Sequence, residues 1–152
     1  MLEHEKLVLR TALRMLGRLE DAQDAAQEVF LRLYRHIDGI DRQRGVTSWL
    51  YRTTMNVCFD QIRRRRPVES IEWDPPVAAT QQTGLELDER RRLVAEGLKT
   101  LPERERAAIV LREIEGLETA EVAAIFGSSE VTVRSQVSMG KARLKKWLEG
   151  RQ

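Results

Sequence analysis

At 152 residues the chain suffices for one domain or two small ones, and with 33% charged and only 5% aromatic side chains it reads as helix-rich rather than as a β-sandwich. Its single cysteine, Cys58, excludes an internal disulfide, and with only His4 and His36 beside it no Cys/His zinc site is expected. The net charge of +2 is unevenly spread: residues 1–66 hold thirteen basic and nine acidic side chains, 67–96 three and seven, 97–152 ten and eight, so two basic blocks flank an acidic middle.

The first element is a helix whose stripe is Leu9, Ala12, Leu13 and Leu16, closed near Gly17. Asp21 and Asp24 open a second helix, where carboxylates suit the positive end of the dipole. Its stripe is Ala22, Ala25, Ala26, Val29, Phe30 and Leu33, and its other face carries Asp24, Gln27, Glu28, Leu31 and Arg35. An apolar anchor inside a polar rim suits a protein partner as well as it suits open solvent. A loop from about His36 to Thr47 leads to a third helix with Tyr51, Met55, Cys58, Phe59 and Ile62 as its buried face. Trp49, Arg52, Asn56, Asp60 and Arg63 share another face of that helix, which ends in the run Arg63, Arg64, Arg65 and Arg66. Such a line can stack on bases, bond their edges and hold phosphates, or it can simply be solvated.

Residues 67–84, with three of the four prolines and no basic side chain, read as an extended acidic linker. The chain is thus expected to be all-α, with helical domains at 1–66 and 85–152. The second domain begins with a helix over 85–99, followed by one with Pro102 in its first turn and Gly116 at its end. The stretch "TAEVAAIFGSSEVTVRSQVSMGKARL" then has a short helix with small Ala123, a turn at Gly127, and Ser129 to cap a long last helix. Val133, Val137, Gly140, Leu144 and Trp147 would face inward, and Thr132, Arg134, Ser135, Gln136, Met139 and Lys141 elsewhere. This reads as a helix-turn-helix, whose second helix enters a major groove, with a three-helix bundle that has no DNA role as the alternative. Gln136 could pair with adenine, and Arg134 with guanine or a phosphate.

At these residues the chain resembles the extracytoplasmic-function (ECF) sigma factors, promoter-recognition subunits of bacterial RNA polymerase. "DAQDAAQEVFLRLYR" is similar to the family's polymerase-binding segment, and "SWLYRTTMNVCFDQIRRRRP" to its segment for melting and reading the minus-ten element. Residues 98–144 are similar to its second conserved domain, which reads the minus-thirty-five element. The resemblance implies that Asp24, Gln27, Glu28 and Leu31 meet the β′ clamp helices of core polymerase, with the β flap as a second contact. It implies that Trp49, Arg52, Asn56, Arg63 and Arg64 lie on the opened minus-ten strand. Ser129, Thr132, Arg134, Ser135, Gln136 and Lys141 would serve the upstream element. The acidic linker (Glu69, Glu72, Asp74) would thread the polymerase's RNA path. Where members usually carry an aromatic, this chain has Val46, and Ser128 stands in a usually apolar position.

The function expected is therefore that of a transcription initiation factor, with core polymerase, promoter DNA and an anti-sigma factor as partners and no cofactor. It is not expected to be an enzyme: no P-loop, dinucleotide fingerprint or nucleophile elbow occurs. No apolar run approaches a membrane span and no signal-peptide core is present, so the expected location is cytoplasmic, without membrane insertion. Three rivals stand beside this reading: a regulator binding DNA alone, a decoy that only captures an anti-sigma protein, and an enzyme without a motif.

Overall fold

The computed structural model describes residues 2–40, 45–65 and 85–151; the tether expected at 67–84, with its acidic side chains, lies outside them. Seven α-helices follow one another among the described residues: α1 (Leu2–Leu16), α2 (Leu19–His36), α3 (Gly45–Arg64), α4 (Leu85–Lys99), α5 (Glu103–Ile109), α6 (Thr119–Phe126) and α7 (Glu130–Gly150). A 3-10 turn, Ile37–Gly39, follows α2, and α5 runs on as a π-helical stretch, Val110–Ile114. Helices α1 to α3 pack mutually, and α4 to α7 pack around α7.

Local chemistry accounts for the ends. Helix α2 carries Glu20 and Asp21 in its first turn and Arg35 and His36 in its last, complementing the helix dipole. Asp21 does more than the sequence reading gave it: it is buried and paired with Arg65 at the far end of α3. Pro102 is the N-cap of α5, just outside the helix rather than in its first turn. Helix α6 starts on a capping box in which the Glu118 backbone N–H donates to Glu121 Oε1 at 3.0 Å.

Two faces differ from the expected ones. In α1 the buried residues are Leu7, Val8, Thr11, Ala12, Met15 and Leu16, while Leu9 and Leu13 are only half-buried. In α3 the buried set runs around much of the helix: Leu50, Tyr51, Thr53, Thr54, Met55, Val57, Cys58 and Phe59. The reason is that the two domains touch. Phe59 meets Phe126 with ring centroids 6.4 Å apart, the Arg104 guanidinium lies 4.2 Å over the Phe59 ring, and Arg106 donates to the Met15 carbonyl. Tyr51 and Phe59, expected to fill the core of the first domain, thus face the second. Leu50, Thr54 and Val57, at i, i+4 and i+7, supply a further buried face. Buried apolar side chains of both halves form one contiguous cluster.

Candidate nucleic-acid interface

The helix-turn-helix is built by three local devices. Gly127 adopts φ of +65° at the end of α6, a conformation that a side chain disfavours. The Ser128 N–H then donates back to the Ala123 carbonyl at 3.0 Å, closing the helix end. Ser129 accepts from the Thr132 N–H at 3.1 Å and starts α7. Behind the turn, Val133 and Gly140 are fully buried. Gly140 is where α7 crosses α5 most closely: a Cβ there would stand 2.9 Å from Ile109 Cγ1.

The outward face of α7 is open. Thr132, Arg134, Ser135 and Met139 are exposed, as is Val131 at 71%. Arg134 makes an i,i+4 ion pair with Glu130 at 3.4 Å, weak enough at an exposed site to exchange for a phosphate or a base. Lys141 pairs with Glu113 of the π-helical stretch, so part of its charge is answered within its own domain. Ser129 and Thr132 share a hydroxyl contact at 2.9 Å as part of the cap. Gln136 departs from the expected face. It is half-buried, and its Oε1 is shielded without a hydrogen-bond partner among the described residues. The spacing explains this, because Gln136 is three residues after Val133 and four before Gly140, on the edge of the packed stripe. Reading a base would need its side chain to swing outward.

On α3, Arg52, Asn56, Arg63 and Arg64 are exposed, and Trp49 and Asp60 are half-buried. The expected line of residues therefore lies on one accessible side. Two of its cations already have partners in the other domain. Arg52 donates to the Ala124 carbonyl at 3.3 Å, and Arg63 stands 3.7 Å from Glu103 and 3.5 Å from Asp60.

On α2, Asp24, Gln27 and Leu31 are exposed, and Glu28 is half-buried beside Arg32 at 2.9 Å. Leu31 is 48% exposed and Tyr34, three residues on, is 84% exposed. Tyr34 extends this face and was missed, although its i+3 spacing from Leu31 was a usable signal. A groove of about 400 Å3 between α2 and α3 brings Asp24 and Glu28 together with Asp60 and Arg64. The α2 and α3 residue sets, read separately in sequence, thus share one edge.

The electrostatic centre between the domains was also invisible in sequence. Glu115, whose side chain is 3% exposed, accepts from Arg10 at 3.0 and 2.7 Å, from Arg14 at 3.0 Å and from the Tyr51 hydroxyl at 2.6 Å. Burial alone would raise its pKa; hydrogen bonds from Arg10 and Tyr51 and the charges of both arginines outweigh that and lower it. Tyr51 is pushed up by the same burial and by its bond to the carboxylate. Among the described residues no group of acidic, His or Cys side chains could hold a metal ion, and no helix is long and apolar enough to cross a membrane.

Comparison with known proteins agrees with this layout. The family model for sigma-70 region 2 matches residues 1–68, and that for sigma-70 region 4 matches residues 91–144. The chain is 32% identical to the ECF RNA polymerase sigma factor SigW of Bacillus subtilis, over 89% of this chain and 79% of that protein. It is 35% identical to the ECF sigma factor SigE of Mycolicibacterium smegmatis, covering 96% of this chain but only 59% of that one. In fold it superposes on the sigma factor RpoE from Bartonella quintana, solved with the anti-sigma factor NepR. The TM-score is 0.80, with 23% identity and coverage of 97% and 93%. Two helical domains matched in order, a helix-turn-helix in the second and relatives alike over most of their length lead to one conclusion: the chain belongs to the ECF RNA polymerase sigma factors.

Proposed function

We propose that the first domain docks on core polymerase through Asp24, Gln27, Glu28, Leu31 and Tyr34 of α2, against the β′ clamp helices. The second domain meets the β flap. Leu31 and Tyr34 provide the apolar anchors and the carboxylates a polar rim, the composition of a surface buried in a complex. In that assembly Trp49, Arg52, Asn56, Arg63 and Arg64 contact the opened minus-ten strand. Trp49 stacks, Asn56 bonds a base edge and the arginines hold phosphates. Extruding a base costs a few kcal/mol, which stacking in the site must offset. Helix α7 enters the major groove of the minus-thirty-five element, with Arg134 and Ser135 nearest the bases and Ser129, Thr132 and Lys141 near phosphates. Gln136 joins them once its side chain turns out.

The observation that carries this reading is the exposure of Arg52, Asn56, Arg63 and Arg64 on α3, a helix otherwise well buried. A helix whose remaining sides are committed to packing, with an accessible row of Arg, Asn and Trp, has that row available for recognition. The protein acts through placement rather than catalysis, in the cytoplasm beside its polymerase. The relative RpoE was solved with the anti-sigma factor NepR, and a protein of that class is the regulator expected here. Run-off transcription with purified core polymerase on a promoter library tests the reading: promoter-dependent transcripts that require this protein are expected. A chain that shifts duplex DNA unaided and gives no transcript would instead be a free-standing regulator.

A further inference from the structure

The form described here is shut, and it cannot do what the proposed function asks. The two promoter elements are centred, by their names, about 25 base pairs apart, which is roughly 85 Å of B-form duplex. A compact chain of this length has a radius of gyration of only about 15 Å. Contacting both elements at once requires the two domains to separate. Separation must also free Arg52 from the Ala124 carbonyl and Arg63 from Glu103.

The charged hydrogen bonds that resist separation converge on one carboxylate. Glu115 directly follows the π-helical stretch Val110–Ile114, and its own N–H donates to the Val110 carbonyl at 2.8 Å. Such stretches are rare and recur at functional sites, because they displace the residues after them from the ordinary helical register. Here the displaced residue receives four hydrogen bonds from three side chains of the other domain, on α1 and α3. The other contacts described across the junction are the apolar cluster shared by both halves, an aromatic pair, an arginine over a ring, one exposed ion pair and arginine-to-carbonyl bonds. Bonds to an ionised carboxylate shielded from water are the strongest of this set.

We propose that Glu115, held by Arg10, Arg14 and Tyr51, is a latch that keeps the free protein shut, so that its release is a separate step before both promoter elements can be engaged. This rests on the sigma-factor reading above, but its physical content is a domain equilibrium that exists without polymerase. The latch gives the chain a resting state of its own, in addition to any partner that holds it inactive.

The experiment uses the full chain carrying Tyr34→Cys and Val131→Cys, both at highly exposed sites, labelled with a donor and an acceptor dye; the native Cys58 is buried. The distance distribution is measured without polymerase. The unaltered latch should give one short distance, and Glu115→Gln should raise the separated population about tenfold or more. Arg10→Gln with Arg14→Gln attacks the same site from the other domain. It should open the protein to a similar degree, and adding Glu115→Gln should open it little further. Glu96→Gln, which breaks a pair with Arg151 inside the second domain, should change nothing. A Glu115→Gln protein with native helicity and an unchanged distance overturns the proposal, as does full additivity of the two sides. Run-off transcription with the parent and the same latch variants, all without the two cysteine substitutions, separates the two readings. If the latch variants open but no version transcribes with core enzyme, the promoter reading fails and the latch stands. If the parent transcribes and no variant opens, the latch alone is wrong.

Discussion

Replacing Gly140 with alanine should destabilise the second domain, against the usual trend. In an open helix Gly→Ala gains about 1 kcal/mol from propensity. At Gly140 the new methyl would stand 2.9 Å from Ile109 Cγ1, 3.2 Å from its Cδ1 and 3.5 Å from the Glu105 carbonyl. Ile109 is 4% exposed and β-branched, so it has little freedom to withdraw. Forcing a methyl into such a contact costs about 1–3 kcal/mol, and the crossing of α5 and α7 has to widen. The net expectation is a loss of about 1 kcal/mol, read as a lower urea midpoint with an unchanged slope. Gly150→Ala, where nothing lies within 4 Å, should be neutral or slightly stabilising. If α7 meets DNA as proposed, at a tilt that α5 sets, Gly140→Ala should also weaken upstream-element binding more than its stability loss explains. A Gly140→Ala protein as stable as the parent or more so would refute the close-approach argument.

Leu31→Ala combined with Glu28→Ala should weaken association with core polymerase at least about tenfold while leaving the helical spectrum and the urea midpoint unchanged; surface plasmon resonance reads the first and circular dichroism the others. Arg134→Ala should relax preference at one upstream base pair by about 1–3 kcal/mol, whereas Lys141→Ala should lower affinity evenly across sequences and reduce the salt slope by about one, both measured by fluorescence anisotropy with the holoenzyme. The depressed pKa of Glu115 makes domain closure pH-dependent. Its stabilisation is fully present above the ordinary glutamate range and is lost as pH falls through the lowered value. Among the described residues the groups facing it are Arg10 and Arg14 from α1 and Tyr51 from α3, with Arg91 of α4 near Arg14, and none of these titrates near that pH. Small-angle scattering from neutral pH down to values below the ordinary glutamate range should show expansion only at the acidic end. Cys58, whose thiol burial pushes up to about 12, should resist a thiol reagent at pH 8 until denaturant exposes it.

How much of this was legible in the sequence depends on the range of the interaction concerned. The helix-turn-helix could be read because each part is local: Gly127 ends one helix, Ser129 caps the next, and their spacing sets the motif. The α2 and α3 faces could be read because periodicity assigns residues to sides. Periodicity could not say how many sides would be covered. The expected α1 stripe, Leu9 to Leu16, was displaced because α1 is flanked by α2 and α3 and also by α4, so Leu13 lines a cleft against α4 instead of the core. Tyr51 and Phe59 were assigned to the right kind of environment and the wrong domain. Glu115 was beyond reach altogether, since its partners lie 64 to 105 residues away and nothing in the neighbouring sequence distinguishes it from another surface carboxylate. The inward lean of Gln136 was readable from its distance to Val133 and Gly140, had the stripe been drawn one residue wider.

Helix α3 has almost no idle circumference. One side serves its own bundle, a second meets the neighbouring domain, and the third carries Trp49, Arg52, Asn56, Asp60 and Arg63. Saturation mutagenesis of this helix should therefore find few silent positions, and those that change promoter choice without harming folding should cluster on that strip of five side chains. On the proposed reading, descendants of this chain that acquire a new minus-ten preference would do so through that strip, while changes at Tyr51 or Phe59 would alter how readily the halves part.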